Sequence, residues 1–181
     1  PRPANIVHHL DASSGNAWWT SAARPAWRAP SGAFSKATPP GLTSSVYAAP
    51  APAHDGKPVR AEVLSVTADG AGRRVRLRIA AEGADVVTIS IPESAEATAL
   101  SAGGAAVAFD KKGSRALRCT GRACADFTIE ATIELRKTAF DLYAFRYGLD
   151  AAGAPLLAAR PATDTPLQMG DGRRVWSRIE L

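Results

Sequence analysis

Phe127-Thr128-Ile129-Glu130-Ala131-Thr132-Ile133-Glu134-Leu135-Arg136 alternates apolar and polar side chains without a break. A period of two is that of a β-strand, whose successive side chains point to opposite faces, so this stretch predicts a strand with one face in a core and one in water. Arg74-Val75-Arg76-Leu77-Arg78-Ile79 repeats the pattern, with three arginines sharing the solvated face. Shorter segments rich in β-branched or aromatic residues give weaker strand expectations at 5–10, 17–21, 59–67, 85–91, 105–109, 139–147, 156–160 and 173–181. Turn signals separate them, among them Asp69-Gly70, Gly103-Gly104, Lys112-Gly113 and Asp171-Gly172. No segment carries a convincing amphipathic helical pattern, and 93–100 is the one place where a helical turn is expected. Together these readings predict an all-β chain, an antiparallel β-sandwich of about eight to ten short strands.

The texture changes between residues 25 and 58, where Pro, Ala, Ser and Gly dominate and too few backbone donors remain for regular pairing. This crossover is either an ordered meander or a flexible linker. It follows an opening hairpin, 1–24, that turns at Ser14-Gly15-Asn16 and must dock on the later strands. A length of 181 residues suits one hydrophobic core better than two, so a single domain over 1–181 is expected.

Residues of the hydrophobic class make up 46% of the chain, but alanine inflates the figure, which points to a thin core supplied by scattered Val, Ile, Leu, Phe and Trp. The 22 Lys and Arg against 17 Asp and Glu give a net charge of +5, and the cations are spread through strand-like segments without a dense block. That distribution predicts a solvated basic face and no nucleic-acid partner. No apolar run reaches the ~18 residues of a membrane-spanning helix, and no signal peptide opens the chain. The start at Pro1 reads as that of a processed or excised segment, and the strand-like ending at Leu181 as a natural C-terminus.

Catalysis needs a nucleophile with its base, a tuned carboxylate pair or a metal cage. His8 and His9 are neighbours in a predicted strand, so their rings should point to opposite faces and cannot chelate one ion together. They read as rim or half-buried strand residues. His54 stands alone in the Pro-rich stretch. The zinc-protease, serine-hydrolase, phosphate-loop and dinucleotide signatures are all missing from the sequence. The aspartates fall mostly at turns and strand ends, where the side chain bonds nearby amides, with loop-borne calcium binding as the minor alternative. Trp18, Trp19 and Trp27 are the candidate ligand or docking surface. Because Trp18 and Trp19 are adjacent, one should enter the core and the other lie exposed or under the crossover.

Cys119 and Cys124 flank Gly121 in Arg-Cys-Thr-Gly-Arg-Ala-Cys. A disulfide across this tight loop is geometrically reasonable, with a reduced buried pair and a metal site as alternatives. A disulfide would imply an oxidising compartment.

The opening Pro1-Arg2-Pro3-Ala4-Asn5-Ile6-Val7-His8-His9-Leu10-Asp11-Ala12, with Gly15-Asn16-Ala17-Trp18-Trp19 and Arg24-Pro25-Ala26-Trp27, resembles part of certain bacterial membrane-anchored zinc peptidases. These belong to metallopeptidase family twenty-eight and are relatives of aminopeptidase Y and of the endoplasmic reticulum metallopeptidase. Leu117-Arg118-Cys119, Gly121-Arg122-Ala123-Cys124, Arg146-Tyr147-Gly148-Leu149 and Ala158-Ala159-Arg160-Pro161-Ala162 are similar to the end of the same domain. The resemblance runs from 1 to 181 but is thin between about 38 and 117. It implies a non-catalytic accessory domain that follows the membrane spans on the periplasmic or extracytoplasmic side. The zinc ligands and acid/base glutamate of such a parent would lie in its N-terminal catalytic domain, and no position here matches them. The implied partners are the catalytic and transmembrane parts of the same parent chain and its peptide substrate, with no cofactor in this segment. The alternative is a secreted carbohydrate- or peptide-binding β-sandwich module.

Overall fold

The computed structural model describes residues 2–108, 115–166 and 170–181. The expected Lys112-Gly113 turn and the end of the expected 105–109 strand lie outside the described residues. The strands in chain order are β1 (Arg2–Pro3), β2 (Val7–Asp11), β3 (Ala17–Ser21), β4 (Ser35–Ala37) and β5 (Val46–Ala51). There follow β6 (Arg60–Asp69), β7 (Gly72–Ala80), β8 (Val86–Ile91), β9 (Ala99–Ala102), β10 (Ala105–Ala106), β11 (Arg115–Thr120) and β12 (Asp126–Glu134). The last are β13 (Ala139–Tyr147), β14 (Asp164–Thr165) and β15 (Gly172–Glu180). The fold is all-β, with sheets of eight and five strands and a two-stranded pair among the described residues. None of the helices among those residues is long and apolar enough to cross a membrane.

The chain divides into two compact units, one comprising 1–56 with 145–176 and the other 57–144 with 177–181. The second is built on the two alternating stretches. β12 pairs antiparallel with β7, setting Ile129 opposite Leu77 and Ala131 opposite Val75, and all four side chains are buried. The other face carries Arg74, Arg76 and Arg78, as the alternation requires. This face is not simply basic: Arg74 pairs with Asp69 at 3.0 Å and Arg78 with Asp126 at 2.6 Å. Such exposed pairs add little stability, but they reduce the field an outside polyanion would meet. β6 and β7 form a hairpin whose turn begins at Gly70, at φ 59°, a left-handed conformation that a side chain would strain. The five-stranded sheet runs β10-β9-β12-β7-β6. β11 and β8 pair antiparallel within the other sheet, burying Leu117, Val87, Ile89 and Ile91. The helical turn expected within 93–100 is the 3₁₀ turn Glu93–Ala95, and strand β9 follows it.

In the first unit β2 lies between β15, parallel, and β3, antiparallel. β5 pairs with β3 on one side and β4 on the other. The crossover therefore contains two strands where its composition suggested too few donors. Ile6, Trp19, Ala29, Phe34, Ala49 and Leu156 form the buried cluster, with Trp27, Tyr47, Ala51 and Leu149 packed against it. The strand expected at 156–160 is instead the end of a short helix, α1 (Ala154–Ala158). Pro155 sits at its start, where the missing N–H costs nothing, and the turn drives Leu156 into the core.

Candidate functional site

The three histidines of the chain, His8, His9 and His54, all fall in the first unit. β2 carries two of them. Its register with β3 sets His8 opposite Trp19 and His9 opposite Trp18. Directly opposed residues share a face and adjacent ones do not, so His8 with Trp19 and His9 with Trp18 occupy opposite faces. The expected divergence of the two rings therefore holds, but their expected half-burial does not: both are fully buried. The Pro-rich crossover provides the reason, because its carbonyls reach both rings.

The His8 ring lies against Trp19 at 4.0 Å between centroids and meets the edge of His54 at 4.5 Å. Nε2 of His8 donates to the Pro52 carbonyl at 2.7 Å. That fixes the tautomer, since a carbonyl oxygen only accepts, and leaves Nδ1 facing Asp150 Oδ2 at 3.4 Å. On the other face Nε2 of His9 donates to the Pro40 carbonyl at 2.8 Å. His54 accepts the Gly56 N–H on Nδ1 at 3.0 Å, so its proton resides on Nε2. A Cβ at position 56 would lie 2.6 Å from the His54 ring and 2.7 Å from Val175, so this close approach requires glycine.

Burial lowers the pKa of all three rings, because an imidazolium in the interior loses its hydration. For His9 the Arg174 guanidinium adds to burial, and the pKa falls to about 4. For His8 the Pro52 carbonyl and the Asp150 carboxylate oppose the fall without cancelling it. All three rings are neutral at pH 7. Adjacent residues of one strand thus hold the crossover at two points on opposite faces, and neither ring presents a nitrogen to solvent.

The three tryptophans do not make one surface. Trp19 is in the core, Trp18 is half-buried on the opposite face, and Trp27 packs against the cluster around Trp19. The Arg160 guanidinium lies 5.9 Å from the centre of the Trp27 ring and also pairs with Asp171, whose carboxylate accepts the Ile6 N–H at 2.8 Å. Cys119 and Cys124 form a disulfide with a Cα separation of 5.6 Å, and Cys124 is buried. Among the described residues no group of three or more His, Cys, Asp or Glu is arranged to hold a metal ion. Sequence reasoning missed Pro40, Pro52 and Asp150, which have no local signal because their role depends on long-range contact with β2. Compared with protein-family models, curated proteins and solved structures, the chain matches none.

Proposed function

We propose that this chain is a non-catalytic accessory domain of a membrane zinc-dependent peptidase, working on the extracytoplasmic side beside the catalytic part of the same parent. The observation that carries the reading is the use made of its histidines. His8 and His9 are buried and spend Nε2 on crossover carbonyls, and His54 spends Nδ1 on a backbone amide. These are the chain's best acid/base and metal-ligating groups, and the fold uses them as ties. The parent's zinc would be held by its N-terminal catalytic domain, and no step of hydrolysis is routed through this chain. The Cys119–Cys124 disulfide supports an oxidising compartment. The parent itself rests on the sequence resemblance alone.

The purified chain, assayed against a peptide mixture with and without added zinc, is expected to give no turnover. Zinc-dependent turnover that disappears in His8→Gln would sink the accessory reading. A second reading, a carbohydrate- or peptide-binding module, is favoured by Trp18, half-buried on the face away from Trp19. Saturable quenching of tryptophan fluorescence by a glycan or peptide, lost in Trp18→Ala, would make that reading the better one.

A further inference from the structure

β6 is the edge of the five-stranded sheet and is exposed along almost its whole length. Its register with β7 runs from Arg60 opposite Ala80 to Val63 opposite Leu77, then resumes with Ser65 opposite Arg76 and ends with Asp69 opposite Gly72. Leu64 is thus an extra, bulged residue. Opposed residues share a face, so Ala61, Val63, Val66 and Ala68 lie on the side of Ile79, Leu77 and Val75, while Glu62, Ser65 and Thr67 lie on the arginine side. Leu77 and Val75 are each 1% exposed, yet Val63 is 44% and Val66 50% exposed, as is Leu64 at 44%. The apolar layer stops one strand short of the edge.

The strand reads Arg60-Ala61-Glu62-Val63-Leu64-Ser65-Val66-Thr67-Ala68-Asp69. Laid antiparallel on a second copy of itself about an axis between Leu64 and Ser65, it sets Val63 against Val66, Ala61 against Ala68 and Arg60 against Asp69. In an unbroken strand each of these pairs, an odd number of residues apart, would lie on opposite faces and could not meet. The bulge at Leu64 restores the match, placing both valines on the apolar face and Arg60 and Asp69 on the other. A bulge more often protects an edge from pairing, but here the two bulges would lie side by side at the axis, each Leu64 opposite Ser65 of the other copy, so the strands are in register on both sides of it. We infer that β6 pairs with β6 of a second copy of this chain, joining two five-stranded sheets through a closed two-fold contact. Such a contact is isologous, so each favourable pair is made twice. It covers the half-exposed valines and gives the outward-facing backbone groups of both edge strands partners.

Sedimentation velocity of the full chain, from low to high micromolar concentration, tests this. A reversible monomer–dimer equilibrium is expected. Val66→Lys sets an unpaired charge against Val63 of the other copy, twice by symmetry, and should weaken the dimer at least about tenfold. Arg60→Glu, at an exposed position outside the core, should weaken it while leaving the far-ultraviolet circular dichroism unchanged. Leu135→Lys, 67% exposed and outside β6, should leave the dimer intact. Under mild oxidation the double variant Val63→Cys/Val66→Cys should cross-link between copies faster than either single variant. A chain that stays monomeric throughout overturns the inference, including one whose β6 takes up an extended peptide instead. So do a dimer indifferent to both β6 charge variants and a Val63→Cys single variant that cross-links as fast as the double.

Discussion

Acidification should loosen the first unit before ordinary carboxylates protonate, and His9 makes the largest single contribution to that effect. Its pKa is about 4 in the fold against about 6.5 in an unfolded chain. A depressed histidine pKa means that the unfolded chain binds the proton first. The stabilisation from a neutral His9 is therefore complete above about pH 6.5 and is lost as the pH falls towards about 4. The difference of about 2.5 pH units corresponds to ~3 kcal/mol, a large share of the ~5 to 15 kcal/mol typical of a domain. His8 and His54, also lowered by burial, act in the same direction. Trp18, Trp19, Trp27 and Trp176 all belong to the first unit, so tryptophan fluorescence during urea unfolding reports on that unit. The midpoint should fall steeply from pH 6.5 to 4.5 in the native chain. It should fall less in His9→Gln, which keeps a donor for the Pro40 carbonyl but cannot titrate. Equal slopes in the two proteins, or a midpoint that rises on acidification, would show that His9 is not held neutral by burial.

Other perturbations have defined outcomes. Reducing the Cys119–Cys124 disulfide should cost about 2 kcal/mol by releasing a short loop, measured as a lower thermal midpoint with dithiothreitol. Gly56→Ala drives a methyl group into His54 and Val175 and should cost ~1 to 3 kcal/mol in urea unfolding. Trp19→Ala should destabilise by ~3 to 5 kcal/mol, and Trp18→Ala by clearly less, because only the former is fully buried. Equal losses from the two would contradict the assignment of faces.

The second unit was the more legible part of the fold. From Thr128 to Glu134 buried and half-buried residues alternate strictly, and that physical division is what alternation in the sequence records. β11 carries no clear apolar alternation, because Arg115, a charged residue, occupies one of its buried positions. Residues 156–160 misled for a different reason: a short apolar run has no period long enough to separate strand from helix, and Pro155 started a helical turn. β5 was hidden by Pro50, which stands opposite Trp18 in the ladder with β3. The adjacency of His8 and His9 correctly separated their faces. Their burial was not legible, because the carbonyls they tie down lie 44 and 31 residues away at Pro52 and Pro40. A backbone carbonyl leaves no mark in a sequence.

The reading frame immediately upstream of the Pro1 codon tests the proposed role most directly. It is expected to continue into several apolar spans, preceded by a domain with His, Asp and Glu zinc ligands. A signal peptide ending next to Pro1 would contradict it and make a free-standing secreted binding module the better description.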